Sequence, residues 1–95
     1  MKEDLLKIIN NYGLSKQLKY IHSEYFELDE AIIDCENDEG AFEEYHHEHI
    51  TEEIADVMVM LKQFQYYYDI EDSEIEKIMK EKIQRQLGRM ESDKE

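Results

Sequence analysis

Two stretches of this chain carry apolar residues at one shared spacing, and that repeat limits the fold more than any other feature. Leu14, Leu18, Ile21, Tyr25, Leu28 and Ile32 succeed one another at 4, 3, 4, 3 and 4 residues. Ile50, Ile54, Val57, Leu61, Phe64 and Tyr68 repeat the pattern. An α-helix turns once in about 3.6 residues, so each set forms a stripe along one side of a helix. Such seams pack helix on helix. The chain has no proline and only three glycines, and it is rich in Leu, Glu, Lys, Ile, Met and Gln. These residues favour helices. The expected fold is all-α, a four-helix bundle-like protomer forming one domain over residues 1–95.

Four helices can be placed. The first spans about residues 2–12, with Gly13 ending it. The second runs from about Ser15, as N-cap, to Asn37, with Gly40 beyond its end. Residues 41–48 form a helical turn or a loop. The third helix spans about His49 to Tyr68. The fourth begins at Asp72 or Ser73, where Ser73 and Glu76 read as a capping box, and ends near Met90. The tail from Glu91 to Glu95 is expected to fray.

The third helix is apolar well beyond its seam, through Ala55, Met58, Val59 and Met60. A helix apolar nearly all round is a buried one. Four short helices in one chain can hardly cover it, so a second subunit is expected to complete the core, most simply in a two-fold homodimer, with a tetramer as the alternative.

Twenty-five acidic residues against 11 basic ones give a net charge of -14. That surface repels nucleic-acid phosphates, so no nucleic-acid partner is expected. Regular apolar spacing argues against disorder. Cys35 is the single cysteine and supplies neither a disulfide framework nor a thiolate metal site. The opening MKEDLLKIINNYG lacks the apolar stretch of a secretory leader. The longest apolar run, Val57 to Leu61, is far too short to cross a membrane. The expected location is the cytoplasm.

Acidic residues at i and i+3 lie about 60° apart around a helix and reach one site. Glu24 and Glu27 do so on the second helix, and Glu53 and Asp56 on the third. The two helices correspond at a constant offset, 50 − 21 = 29, which matches Glu24 with Glu53 and Glu27 with Asp56. If the helices pack along their seams, four carboxylates converge. Crowded carboxylates resist ionisation unless a cation joins them. Hard oxygen ligands suit Mg²⁺ or Mn²⁺.

Glu-x-x-acid pairs also arise by chance in so acidic a chain, as at Glu27/Glu30, Glu36/Glu39 and Glu71/Glu74. The chosen pairs stand apart because they occupy equivalent places in the two most regular helices. Their next-turn neighbours, Ala31 and Met60, are small or apolar.

The double motif resembles the MazG-like nucleotide pyrophosphohydrolases, whose pattern is Glu-Glu-x-x-Glu followed by Glu-Glu-x-x-Asp. Here Ser23-Glu24-Tyr25-Phe26-Glu27 departs at its first position. Glu52-Glu53-Ile54-Ala55-Asp56 matches throughout. The likeness covers roughly residues 14–89. It implies that Glu24, Glu27, Glu53 and Asp56 bind Mg²⁺, with Mn²⁺ a substitute. It also implies a reaction, nucleoside triphosphate plus water giving nucleoside monophosphate and pyrophosphate. A carboxylate not used fully as ligand would take the water's proton, and Glu52 and Glu53 are both candidates. Family members carry basic residues on the last helix that contact phosphate. Lys82, Arg85 and Arg89, spaced 3 and 4, share one face there, with Lys16 and Lys19 weaker candidates.

The run Tyr45-His46-His47-Glu48-His49 invites a zinc or di-iron site through Glu43/His46 and Glu44/His47. The di-iron architecture needs that Glu-x-x-His motif on two helices, so a solvated connection is expected instead. Tyr66, Tyr67 and Tyr68 read as packing residues with surface hydroxyls, and base stacking falls to them or to Tyr20 and Phe26. The alternative function is an acidic helical module that mimics nucleic acid or regulates a protein partner.

Overall fold

The computed structural model describes residues 1–38 and 44–94. The protein is all-α, with α1 (Lys2–Tyr12), α2 (Leu14–Asn37), α3 (Glu44–Tyr67) and α4 (Asp72–Asp93), and no strand among the described residues. No described helix is long and apolar enough to cross a membrane.

A single residue, Gly13, joins α1 to α2. Its φ of 93° is open to glycine and strained for side chains. Its N–H donates to the Ile9 carbonyl at 2.8 Å and closes α1. Because one residue completes the turn, α2 starts at Leu14, and Ser15 lies inside the helix instead of capping it.

α3 starts at Glu44 rather than His49. Residues 44–48 are therefore helical, while 41–43 and Gly40 lie outside the described residues. His46 is buried, not solvated, with Nε2 2.6 Å from Asp38 Oδ2. This contact ties the start of α3 to the end of α2.

The turn after α3 is a Schellman motif. Asp69 holds the left-handed conformation at φ 56°. Its N–H donates to the Tyr66 carbonyl and that of Ile70 to the Gln65 carbonyl, both at 3.0 Å. α4 is then capped by Glu71 and Glu74, whose Oε2 accepts from the Glu71 N–H at 2.9 Å. The cap therefore lies two residues before the expected Ser73/Glu76 pair, because Asp72 already belongs to the helix. α4 continues to Asp93, so residues 91–93 are helical; Glu95 lies outside the described residues.

α1 buries Leu5 and Ile9, and full burial of such a side chain contributes about 1.5–3 kcal/mol. The α2–α3 seam is rotated by one residue from the apolar stripes. Gln17, Ile21, Glu24, Leu28, Ala31 and Cys35 are the buried or half-buried stripe of α2. His46, Ile50, Glu53, Val57, Met60 and Phe64 are that of α3, again at 46 − 17 = 29. Ala31 is fully buried, and a side chain that small lets two helices approach closely.

Leu18, Tyr25 and Ile32 on α2, with Ile54 and Leu61 on α3 and Tyr68 just past its end, are 43–65% exposed. The chain thus owns two apolar stripes per helix and covers one. α4 has no buried residue and, beyond its first turn, packs on none of the other helices. Ile78, Met79, Ile83, Leu87 and Met90 are all exposed along it. The radius of gyration is 16.9 Å, against about 12 Å for a compact domain of this length.

Candidate metal centre

The rotated seam places two carboxylates inside the helix pair. Glu24 and Glu53 occupy equivalent seam positions, and Glu27 follows Glu24 by one turn toward the surface. One oxygen from each of Glu24, Glu27 and Glu53 lies within 4.8 Å of the other two. Glu24 Oε2 and Glu53 Oε2 are sealed from solvent with no hydrogen-bond donor among the described residues. A buried acceptor without a donor is costly, more so when charged.

The electrostatics follow from that crowding. Burial first, and then the neighbouring Glu27 charge, push the Glu24 carboxyl above the ordinary glutamate range, with Asp56 and Glu53 adding to it. Glu53 is pushed the same way by burial, Glu27 and Asp56. His49, with Nε2 3.6 Å from Glu53 Oε1, opposes the shift. Both acids therefore hold a proton more tightly than a solvated glutamate does.

The other expected site residues are distributed around this centre. Asp56 is exposed and outside the 4.8 Å group, although its charge acts on both half-buried glutamates. Glu52 is exposed and also outside the group. Lys82, Arg85 and Arg89 line a shallow depression with Gln86 on α4. Since α4 does not pack on α2, one chain does not gather these cations with the carboxylates. Lys16 and Lys19 line a separate groove with Tyr20 and Ser23.

Three features escape a reading based on apolar spacing. Gln17 and Gln63 are buried and joined by a 2.7 Å hydrogen bond. His46 sits in the seam. Tyr66 is buried, and its hydroxyl donates to Asp72 Oδ1 at 2.9 Å rather than facing solvent. A signal for two of them exists. Gln17 precedes Glu24, and His46 precedes Glu53, by seven residues, two turns along the same stripe.

The chain matches no family model, no curated protein and no solved structure. The likeness of its two acidic motifs to the MazG-like pattern therefore rests on those motifs alone.

Proposed function

We propose that this protein is a divalent-metal-dependent nucleoside triphosphate pyrophosphohydrolase of MazG-like type, working as a homo-oligomer. One observation carries the reading. Three glutamates from two helices approach within 4.8 Å, and two of their oxygens are buried without donors. A structural acidic cluster would be expected to find lysine, arginine or amide partners. Among the described residues, this one is surrounded by acids, with His49 3.6 Å from Glu53 Oε1.

The donor set fits a hard cation, because carboxylate oxygens are the ligands that Mg²⁺ and Mn²⁺ take. Glu24, Glu27 and Glu53 would hold it, with Asp56 beside them. Bound there, the metal would polarise the phosphate chain and lower the pKa of the attacking water. The protein's own contribution is positional. α2 and α3 fix the three carboxylates at one level of the seam. A Glu53 oxygen left free of the cation would accept the proton from water, and Glu52 lies outside the cluster.

The homo-oligomer is supported by the second apolar stripe and by the uncovered α4. An arriving copy can cover both, and its α4 can bring Lys82, Arg85 and Arg89 to phosphates held at the carboxylates. The test is a panel of ribo- and deoxyribonucleoside triphosphates assayed for pyrophosphate with Mg²⁺, with Mn²⁺ and with chelator. Metal-dependent release from at least one triphosphate is expected. No release from any of them in either metal would overturn the reading.

A further inference from the structure

A cavity of about 300 Å³ opens beside the carboxylates. Ile8 and Tyr12 of α1, Gln17, Tyr20 and Glu24 of α2, and Val59, Met60 and Gln63 of α3 line it. Its volume is at the small end of ligand pockets, which run from about 300 to 1,000 Å³. Glu24 belongs both to this cavity and to the carboxylate cluster, so the two are contiguous. A molecule seated here has one end in a mostly apolar recess and the other at the glutamates.

The polar groups in this recess are unusual. Gln17 is 4% exposed and Gln63 1% exposed. Gln17 Nε2 donates to Gln63 Oε1 at 2.7 Å, which uses one donor and one acceptor of the pair. Gln17 Oε1 has no partner among the described residues. Among the described residues, Gln63 Nε2 reaches only the Met60 sulfur, at 3.6 Å, and sulfur is a weak acceptor. Two buried amides thus leave one acceptor orphaned and one donor poorly used. Apolar packing alone would place Leu or Met here and avoid that cost. The terminal amide of Gln17 turns about a soft torsion, so its oxygen can swing toward the cavity its side chain already lines. Exchanging the amide O and N assignments leaves the same inventory, one acceptor and one donor.

We propose that Gln17 and Gln63 are the specificity-determining residues of a nucleobase pocket, reading a base edge that presents a donor beside an acceptor, with Tyr20 and Tyr12 as its aromatic walls. The inference rests on the nucleotide reading above and adds what that reading lacks, the part of the substrate that is discriminated. Seated this way, the base lies in the recess and its phosphates extend past Glu24 to the carboxylates. A site with buried amides rejects a base that leaves them unpaired, which is the stronger form of discrimination.

The test separates this inference from the enzymatic one. The uncharged nucleosides of each common base are titrated into the ¹⁵N-labelled protein with chelator present. Wild type and the near-isosteric variants Gln17→Met and Gln63→Met are compared. One base class should bind best, shifting the Gln17 and Gln63 side-chain amide signals, and each variant should flatten the preference by at least about tenfold. Thermal melting checks that the variants fold. Equal binding of all bases by the wild type, or an unchanged preference in both folded variants, overturns the inference. Triphosphate hydrolysis whose base preference survives both substitutions sinks the pocket and leaves the enzyme standing. Selective base binding without any hydrolysis does the reverse.

Discussion

The molecule has two acidic centres built on opposite principles. At the α3–α4 turn, Asp72 is surrounded by donors. Gln65 Nε2 reaches Oδ1 at 2.7 Å, Lys62 Nζ at 3.0 Å and the Tyr66 hydroxyl at 2.9 Å. The Gln65 amide foremost, with Lys62 and Tyr66, lowers the Asp72 carboxyl from 3.8 to about 2. In the α2–α3 seam, Glu24 and Glu53 meet other acids and are shifted upward. The first centre is complete within the chain and holds α4 at its origin. The second is incomplete, and the proposed divalent cation would supply what it lacks. Opposite shifts at two acidic sites on the same helix pair and its exit turn show that acidity as such decides little. What decides is whether donors were built around the charge.

The largest effect that would break this contrast is catalytic. Glu53→Gln should lower pyrophosphate release by at least about 100-fold, since even outer partners of metal ligands cost about 10–100-fold. In chelator the same variant should melt higher than wild type, because it removes a repelled charge. Asp72→Asn should do the opposite, melting lower while keeping its response to metal. Parallel melting curves of the three proteins with and without Mg²⁺ check this. A stabilised Asp72→Asn would show that the donor-rich centre is not what anchors α4.

Next in size is the dependence of stability on pH. Asp72 has a folded pKa below its unfolded value, so its stabilisation is present above pH 3.8 and is lost as pH falls toward about 2. Glu24 and Glu53 have raised folded values, so they cost stability once pH rises above the ordinary glutamate value of 4.5. Metal-free protein should therefore gain stability on acidification from neutral pH toward that value. It should lose the Asp72 share below it. Glu24→Gln with Glu53→Gln should flatten the first limb, and Asp72→Asn the second, in melts taken from pH 2 to 8.

A smaller effect sharpens the account of the uncovered stripe. Leu61→Glu places a charge among Ile54 and Tyr68 without touching the seam. It should move the protein from dimer toward monomer in light scattering while leaving its helical circular dichroism intact. A monomeric wild type at micromolar concentration would remove the assembly proposal.

Much of this architecture was readable from spacing. Four helices, the glycine turn and the 29-residue correspondence all follow from apolar periodicity and turn residues. The phase of the seam was not readable. Leu18, Tyr25, Ile32, Ile54 and Leu61 are the better apolar residues, yet the chain buries the neighbouring stripe through Gln17, Glu24, Ala31 and Met60. Hydrophobicity ranks faces of a helix but does not say which face a chain covers by itself and which it leaves outside. The polar members of the true seam, Gln17, His46 and the two glutamates, are invisible to a count of apolar positions. The correspondence of Glu24 with Glu53 was legible, because constant offset survives a rotation applied equally to both helices. The separation of Lys82, Arg85 and Arg89 from the carboxylates was not, because a shared helix face says nothing about what the helix packs on. The capping of α4 by Glu71 and Glu74 was missed for a local reason. Asp72, held by three side chains, draws the helix start forward.

The central claim is that the seam glutamates form one cation site in a chain with 25 acidic residues. Substoichiometric Mn²⁺ added to ¹⁵N-labelled protein tests it directly, since the paramagnetic ion broadens the signals nearest to it. The account predicts broadening centred on residues 24–28 of α2 and 49–57 of α3, reversed by excess Mg²⁺ and abolished in Glu24→Gln with Glu53→Gln. Broadening spread over the acidic surface, or unchanged in that double variant, would contradict it.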